Sequence, residues 1–261
     1  YLARYALGRD YHKIIRKRLQ QLADRIVEAV GPFGYRAFVD SAPVLEKALA
    51  SQAGLGWMGK HTVIINRSAG SYFFLGELFT DLPLPVDEPV NNHCGSCQAC
   101  IDICPTKAIV APYTLDAGKC ISYLTIEYRG VIPVELRRPI GNRIFGCDDC
   151  QLVCPWNRYA QASQEAAFTP RHAFDGPDLL DLWAWDEATW LKQTEGMPLR
   201  RMNYASWLRN LSIALGNAPK SEAVLEALKL RLATLASQGA LDDTLSEHLE
   251  WAIAEQSFNP R

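Results

Sequence analysis

The chain has 261 residues, 48% of them apolar and 21% charged, with a formal net charge of −2. These values are typical of a soluble globular protein with one large domain or two to three small ones, and they do not indicate a strongly basic nucleic-acid binder. No segment has the apolar length of a transmembrane helix or the pattern of a signal peptide, so we expect no membrane association.

The N-terminal part is predicted to mix helices with strands. Residues 10–30 carry apolar side chains at three- and four-residue steps, which predicts an amphipathic helix that Asp10 caps. Residues 1–80 contain 11 Lys and Arg against 6 Asp and Glu, a surplus that either attracts an anionic partner or forms a solvated helix face. The other predicted elements are a strand at 35–40, a helix at 43–52, two strands at 62–66 and 71–80 joined by a short turn, and a Pro-rich linker at 81–89.

All eight cysteines fall in one pattern of two runs. The first run has the spacing C-x2-C-x2-C-x3-C-P, and the second has C-x2-C-x3-C-P after a more distant Cys120. Four thiolates hold one [4Fe-4S] cluster, and in the bacterial two-cluster run the fourth cysteine of each run ligates the other cluster. The spacing therefore predicts two clusters. The expected ligands are Cys94, Cys97, Cys100 and Cys154 for the first cluster and Cys104, Cys120, Cys147 and Cys150 for the second.

Two other uses of the cysteines are less consistent with this spacing. Zinc sites usually combine two C-x2-C pairs across a longer spacer, whereas the first run places three cysteines in one short loop. Disulfides need an oxidising compartment and cluster in short secreted chains. Because the cysteines are expected to be cluster ligands and no export signal is present, we expect the protein in the reducing cytoplasm.

The C-terminal part is predicted to be helical. Helical apolar spacing with short breaks recurs in three segments, 201–218, 221–237 and 242–256. Successive helices with short turns suggest HEAT-like repeats, or alternatively a plain helical cap. Arg200, Arg201 and Arg209 are expected on one helix, where they either contact phosphates or form a solvated face.

A ferredoxin alone would need little beyond residues 90–160, so the flanking segments suggest an additional active site. The first candidate is Asp40 in FVDSAP, which ends an apolar strand. A poorly solvated carboxyl at that position would suit a general acid. An N-cap for the following helix explains the residue as well, and on the residues alone we favour the cap.

A second candidate is the loop GLGWMGKHT at 54–62. Its three glycines, with Trp57, Lys60 and His61, could approach a flat or anionic ligand closely. The spacing is neither that of a P-loop nor that of a dinucleotide fingerprint. A turn with an exposed lysine is the alternative.

A third candidate is the start of the first helix, where Tyr11 and His12 follow Asp10. Asp-x-His opens the corrinoid motif D-x-H-x-x-G, but Ile15 stands where the glycine should be. The motif by itself therefore does not indicate a corrinoid bound through histidine, and a capped helix start explains these residues equally well.

Six segments of the chain together resemble the epoxyqueuosine reductases, a family of bacterial tRNA-modifying enzymes related to reductive dehalogenases. The resemblance spans essentially the whole chain, although the family normally carries a further segment before the position of Tyr1. The cysteine run alone is shared by many iron–sulfur proteins, whereas the combination is specific. The segments are GRDYHKIIRKRLQQLA, FVDSAPVLEKALA, GLGWMGKHT, HCGSCQACIDICPTKAI, GCDDCQLVCPWN and LRNLSIALGNA.

The resemblance implies reduction of epoxyqueuosine to queuosine at the tRNA wobble position, with base-off cobalamin and two [4Fe-4S] clusters as cofactors. Electrons would pass through the clusters to cobalt, and loss of the epoxide oxygen as water needs a proton. The family's general acid corresponds to Asp40, so the resemblance overturns our preference for a cap. It also implies that Tyr11, His12, Trp57 and Lys60 line the cofactor and substrate cleft.

We accordingly predict an α+β fold in three parts. Residues 1–85 form an N-terminal α/β cobalamin-binding module, 86–160 a two-cluster bacterial ferredoxin-like domain, and 161–261 a HEAT-like helical region. The expected partners are a tRNA anticodon stem-loop and an external electron donor that the sequence does not identify, and we expect a monomer. The alternatives are a reductive dehalogenase-like corrinoid enzyme acting on a small molecule and a non-enzymatic electron carrier that has clusters but no corrinoid.

Overall fold

Helices predominate in the computed structural model, which describes residues 1–172 and 174–257. The helices are α1 (Tyr11–Val30), α2 (Glu46–Gln52), α3 (Ala99–Ile103), α4 (Ile121–Ile126), α5 (Val134–Ile140), α6 (Asp149–Leu152), α7 (Leu179–Trp183), α8 (Glu187–Gln193), α9 (Tyr204–Gly216), α10 (Glu222–Ser237) and α11 (Asp243–Ser257). The strands are β1 (Tyr35–Phe38), β2 (Trp57–Met58), β3 (Ile64–Ile65), β4 (Glu77–Thr80), β5 (Ile109–Ala111) and β6 (Thr114–Leu115). Short 3-10 helices lie at Arg4–Ala6, Ala117–Lys119, Pro155–Tyr159, Ala166–Phe168 and Pro198–Arg201.

The long N-terminal helix confirms the predicted amphipathic segment. The Asp10 side chain caps α1 by accepting a hydrogen bond from the backbone N–H of His12 at 3.0 Å. The helix ends at Gly31, whose φ of 88° is a conformation that glycine adopts without steric cost. Ile15 and Leu19 pack toward Gly76, where a Cβ atom would lie 2.9 Å from the Ile15 side chain. Glycine therefore lets the chain entering β4 approach the apolar face of α1.

The predicted hairpin of residues 62–66 and 71–80 is wrong. Each of these segments pairs elsewhere: β3 runs antiparallel to β2, and β4 runs antiparallel to β1, with Phe38 opposite Glu77. The apolar residues just before β4 line a cavity instead of extending the strand. All paired strands in the described residues are antiparallel, so residues 1–85 show an α+β arrangement rather than a parallel α/β sheet.

The predicted cap role of Asp40 is also wrong. Helix α2 begins at Glu46, with Leu45 at its N-cap position, and the loop before it separates Asp40 from the helix by several residues. The predicted helix start at Pro43 was three residues early because proline is compatible with a turn as well as with a first helical turn. Asp40 is therefore available for other contacts.

The three C-terminal helices confirm the prediction for residues 201–256. Helix α9 packs against α11, and its buried residues surround it on almost every side. Arg209 lies on this buried helix, is 1% exposed, and donates to the carbonyl oxygens of Leu124, Tyr128 and Gly130. The expectation that Arg209 faces solvent or phosphate is therefore wrong, because its guanidinium satisfies backbone acceptors inside the protein.

One hydrophobic core crosses the predicted domain boundaries. Leu2 and Ala6 from the N-terminus pack with Phe145 of the cysteine region and with Trp207 and Leu211 of α9. A backbone hydrogen bond of 2.8 Å from Ala3 N to the Phe145 carbonyl adds to this contact. The three parts are thus held as one packed body, and the exact boundaries stay a prediction. No helix in the described ranges is both long and apolar enough to cross a membrane.

Candidate functional site

The first predicted set of cysteines surrounds a cavity of about 220 Å³. Burial raises the pKa of the Cys100 and Cys154 thiols, and the neighbouring thiols of the set raise it further. Free thiolates crowded in this way repel one another, whereas bound iron cations would neutralise them. The cavity walls include Cys94, Cys97, Cys100 and Cys154, together with Lys60, His61 and His93.

The second predicted set gathers around Cys150. Burial raises the pKa of the Cys150 thiol, and the thiols of Cys147, Cys120 and Cys104 raise it in addition, as does that of Cys100 from the first set. Cys120 is distant from the other cysteines of the set along the chain, and it directly precedes α4. The sulfur of Cys104 accepts a hydrogen bond from the backbone N–H of Ala108 at 3.2 Å. The eight cysteines thus lie near one another, and their division between two clusters stays a prediction.

The first set fits a [4Fe-4S] cluster in donor type and arrangement, and the second set fits one in donor type. Each thiolate of a cubane binds its own iron, so four ligating sulfurs surround a space rather than converge on one point. Within residues 1–172 and 174–257, no three His, Cys, Asp or Glu side chains converge closely enough to hold a single metal ion. The four cysteines in the wall of the first cavity supply the thiolates that a cluster needs.

Lys60 and Trp57 lie beside the first set of cysteines. The Lys60 ammonium is buried and donates to the carbonyl oxygens of Gly95 at 2.7 Å and Cys97 at 2.9 Å, which fixes the loop that carries two of the cysteines. The buried Trp57 ring packs edge-on against Trp156, with 4.9 Å between centroids. Neither side chain lines the same cavity as Tyr11, and their contact with cobalamin stays a prediction.

A larger cavity of about 1160 Å³ lies between the N-terminal part and the cysteine region. This volume exceeds the roughly 300–1,000 Å³ of pockets for drug-sized ligands, so it fits a larger molecule such as a corrin. The Tyr72 hydroxyl is buried and has no hydrogen-bond partner among the described residues, so a partner inside the cavity would satisfy it. Cys154 lines both cavities, which places the first set of cysteines at the edge of this one. Its aromatic walls are Tyr5, Tyr11, Tyr72, Phe73, Phe74 and Phe168.

Asp40 lies in an adjoining cleft of about 540 Å³. The Tyr11 hydroxyl donates a hydrogen bond to Asp40 Oδ2, and the backbone N–H of Asp40 donates to the Glu46 carboxylate. The backbone φ of Asp40 is 53°, a left-handed conformation that aspartate tolerates better than most residues. Tyr11 lines both the cleft and the large cavity, so Asp40 is held at the junction between them.

His12 completes the polar group around Asp40. Its Nε2 lies 3.5 Å from Asp40 Oδ2, and its Nδ1 lies 2.7 Å from Asp10 Oδ1. The Asp10 carboxylate thus orients the imidazole in addition to capping α1. The structure brings Tyr11, His12 and Asp40 together, as the resemblance implies.

Two arginines form the opposite wall of the cleft. Arg201 pairs with Glu127 at 2.5 Å, and Arg200 lies over the Trp190 ring at 5.4 Å while donating to the Leu191 carbonyl at 3.0 Å. Both side chains are exposed, so they retain charge that can meet an anionic ligand. They belong to the short 3-10 helix before α9, whereas Arg209 lies inside the protein.

Two residues that line these cavities, His61 and Tyr72, were not among the predicted site residues. His61 lines the first cysteine cavity next to Lys60, and the glycines of GLGWMGKHT were the available indication of a close approach there. Tyr72 lines the large cavity, but its apolar neighbours favoured a strand and gave no indication of a ligand. The positions of both side chains depend on contacts between distant segments.

Comparison with family models gives two matches. Residues 93–157 match the 4Fe-4S double cluster binding domain, and residues 1–41 match epoxyqueuosine reductase QueG, DUF1730. The epoxyqueuosine reductase of Pseudomonas aeruginosa is 63% identical over 254 residues, which cover 97% of this chain and 69% of that protein. The Escherichia coli enzyme is 56% identical over 256 residues, which cover 98% of this chain and 66% of that protein. The chain thus spans about two thirds of the length of these relatives.

Solved structures agree with these relatives. A crystal structure of epoxyqueuosine reductase with a tRNA-Tyr epoxyqueuosine-modified stem loop is 28% identical and has a TM-score of 0.86, covering 98% of this chain and 75% of that one. The Streptococcus thermophilus epoxyqueuosine reductase is 28% identical with a TM-score of 0.85, covering 98% of this chain and 66% of that one. Because sequence identity, family models and fold all agree over nearly the full chain, it belongs to the epoxyqueuosine reductase family of oxidoreductases.

Proposed function

We propose that the chain reduces epoxyqueuosine to queuosine at the wobble position of a tRNA anticodon stem-loop. The observation that carries the proposal is the junction at Tyr11. This side chain hydrogen-bonds Asp40 in the cleft and also lines the large cavity, which Cys154 borders at another wall. A proton donor and a set of cysteines that could hold a cluster therefore border adjacent spaces.

The cofactors that fit these spaces are two [4Fe-4S] clusters and cobalamin. Cys94, Cys97, Cys100 and Cys154 would hold the first cluster, and Cys104, Cys120, Cys147 and Cys150 the second. The large cavity, with its aromatic walls and the unpaired Tyr72 hydroxyl, would hold cobalamin. When bound, the clusters supply single electrons and cobalamin supplies a metal centre that can react with an epoxide carbon.

Asp40 would act as the general acid. Converting an epoxide to an alkene and water takes two electrons and two protons, and the departing oxygen must be protonated. The Tyr11 hydroxyl fixes Asp40 Oδ2, while His12 Nε2 stands 3.5 Å from the same oxygen. The Asp40 side chain is 45% exposed, so solvent can return a proton to it after each donation.

The proposed tRNA-binding surface would bind phosphates through basic side chains and take up a base of the anticodon loop in the cleft. A wobble base lies in a single-stranded loop, from which it can be splayed out into a cleft. Arg200 and Arg201 at the cleft wall, with the basic residues 1–80, would meet the phosphates. The C-terminal helices, in a HEAT-like arrangement, would form a second wall. We propose a monomer that acts in the cytoplasm with an external electron donor.

The test compares two carboxylate-to-amide variants of the cluster-loaded protein. Asp40→Asn should keep about eight irons per chain but lose turnover of an epoxyqueuosine-modified stem-loop by roughly 100- to 10,000-fold, the range that a general acid contributes. Asp87→Asn, in the exposed Pro-rich segment, is the matched control and should turn over normally. Normal turnover by Asp40→Asn would remove Asp40 from the acid role.

A metal analysis tests the cofactors separately. Protein purified anaerobically and supplied with cobalamin should contain about eight irons and one cobalt per chain. Eight irons without cobalt would leave the clusters in place and contradict the proposed use of the large cavity. Turnover of a small organohalide without affinity for tRNA would instead favour the dehalogenase-like alternative.

A further inference from the structure

The loop between β2 and β3 places a second polar side chain at the first cysteine cavity. His61 is 3% exposed and lines this cavity together with Cys94, Cys97 and Cys100. Neither the proposed electron route nor the proposed acid chemistry uses it. Its neighbour Lys60 already contacts the cysteine loop through two carbonyl oxygens.

The hydrogen bonds of His61 define its tautomer. The backbone N–H of Val63 donates to His61 Nδ1 at 3.1 Å, so Nδ1 must carry a lone pair rather than a proton. A neutral imidazole with an accepting Nδ1 carries its proton on Nε2, which is therefore a donor.

This donor has no partner among the described residues. His61 Nε2 is buried, and nothing in residues 1–172 or 174–257 accepts its hydrogen bond. Buried polar groups are almost always satisfied, so an acceptor inside the cavity is expected. Gly59 makes room for the ring, because a Cβ there would lie 2.8 Å from His61 Cε1. The loop is therefore shaped to hold the imidazole against the cavity.

We propose that His61 Nε2–H donates a hydrogen bond to a sulfur of the first cluster and thereby raises that cluster's reduction potential. The inference rests on the first cluster of the proposed function. A sulfide or ligating thiolate is the acceptor that this cavity would contain, and reduction places more negative charge on those sulfurs. A fixed N–H donor consequently stabilises the reduced cluster more than the oxidised one.

The decisive comparison uses two substitutions of similar shape. His61→Met removes the donor, whereas His61→Gln can place an amide N–H near the position of Nε2. Redox titration of the anaerobic, cluster-loaded full chain, followed by electron paramagnetic resonance, should show one of two midpoint potentials shifted negative in His61→Met. The His61→Gln value should stay close to that of the unmodified protein, and the other cluster should be unchanged in both.

A spectroscopic readout tests the contact directly, first in the unmodified protein and then in two variants. Protein labelled with ¹⁵N-histidine should show a nitrogen hyperfine coupling to a reduced cluster. The exposed His93, which also lines the cavity, supplies the control: His93→Gln should keep the coupling and His61→Gln should lose the histidine contribution.

Three results would overturn the inference. One is the absence of a histidine coupling in the reduced, unmodified protein. Another is an unchanged potential in His61→Met at full iron content, and the third is an equal shift in His61→Met and His61→Gln, which would indicate packing alone. A protein that assembles no cluster at all would instead overturn the proposed cofactors, so the two failures are distinguishable.

Discussion

At the residue scale, the placement of Asp40 depends on a few specific contacts. Tyr11 reaches it from the first turn of α1 and stacks on Phe74 with 4.2 Å between ring centroids. His12 stacks on the other side of Tyr11, also with 4.2 Å between centroids. The phenol is thus held in a stack, and its hydroxyl is aimed at one carboxylate oxygen. Orientation of this kind can contribute as much to a reaction as the acid itself.

Tyr11→Phe should keep the stack and remove only the hydroxyl that orients Asp40. We expect kcat to fall by roughly ten- to 100-fold, the effect of a misplaced reacting group, with little change in KM for a stem-loop substrate. The measurement is steady-state reduction of an epoxyqueuosine-modified stem-loop. Tyr35→Phe is the control: it removes a hydroxyl that contacts Gln20 on α1, and its kcat should be nearly unchanged. An unchanged kcat in Tyr11→Phe would show that Asp40 needs no orientation from the phenol.

At the element scale, carboxylates join β4 to the loop and helix that follow Asp40. Glu77 on β4 lies beside Glu46 at the start of α2, and Glu46 in turn accepts the backbone N–H of Asp40. Burial and, next, the neighbouring Glu46 carboxyl together raise the pKa of Glu77 to about 7. Protonation of this pair therefore favours the packing of β4 against α2.

This raised pKa predicts a pH-dependent stability. A protonated Glu77 favours the folded state, so its contribution is fully present below about pH 4.5 and is lost as pH rises through about 7. Glu77→Gln keeps a neutral side chain, so the melting temperature of the unmodified protein should fall relative to that of the variant across this window. Glu88→Gln, in an exposed segment, should follow the unmodified protein. Parallel curves for all three proteins would contradict the assignment.

Helix α9 connects the C-terminal helices to the cysteine region through polar side chains. Arg209 donates to carbonyls in and after α4, and Asn210 donates to the Thr125 and Ile144 carbonyls at 2.8 and 2.9 Å. Burial lowers the pKa of Arg209 to about 10, which leaves the guanidinium charged at pH 7. These contacts fix α4, which directly follows Cys120.

Arg209→Met should leave at least two buried carbonyls without a donor. We expect a loss of about 3 kcal/mol in the free energy of unfolding, because an unsatisfied buried acceptor costs about 1–3 kcal/mol. Arg200→Met, at the exposed cleft wall, is the complementary variant and should reduce stem-loop affinity with a smaller loss of stability. The measurements are the melting temperature and the stem-loop Kd. A stable Arg209→Met protein with weakened tRNA binding would contradict the structural role and indicate that Arg209 contacts the tRNA.

At the scale of the whole molecule, adjacent cavities with shared wall residues lie between the first set of cysteines and Asp40. The first cysteine cavity shares Cys154 with the large cavity, which shares Tyr11 with the cleft. The net charge of −2 hides a basic N-terminal third that can attract a polyanion. A shared hydrophobic core holds these parts in one arrangement.

Stem-loop binding should weaken steeply with salt. If Lys and Arg side chains meet three phosphates of a single-stranded loop, raising salt from 50 to 200 mM should weaken binding by about 20-fold through counterion release. The measurement is the Kd of a fluorescent stem-loop across that range, with the cluster absorbance followed as a control for integrity. A Kd that barely changes would contradict recognition of tRNA through its phosphates.

The sequence by itself determined features whose cause is local. Cysteine spacing predicted a two-cluster region, which the match of residues 93–157 to a double cluster binding domain supports, because short gaps constrain which thiolates can surround one cluster. Apolar periodicity located α1 and α9 to α11, because helical spacing depends on neighbours three and four residues away. The resemblance of six segments identified the family that the comparisons confirm.

Only the tertiary structure decided which distant side chains meet. Tyr11 and Asp40 are 29 residues apart, and Lys60 and Gly95 are 35 residues apart, so no local pattern indicates either contact. The same limit explains why the predicted hairpin of residues 62–66 and 71–80 was wrong. One and the same apolar sequence can line a cavity or join a sheet. It also explains Arg209, whose charge suggested solvent until α9 proved to be buried. Packing decides these cases because the free energy of a polar or apolar side chain depends on what the rest of the chain places around it.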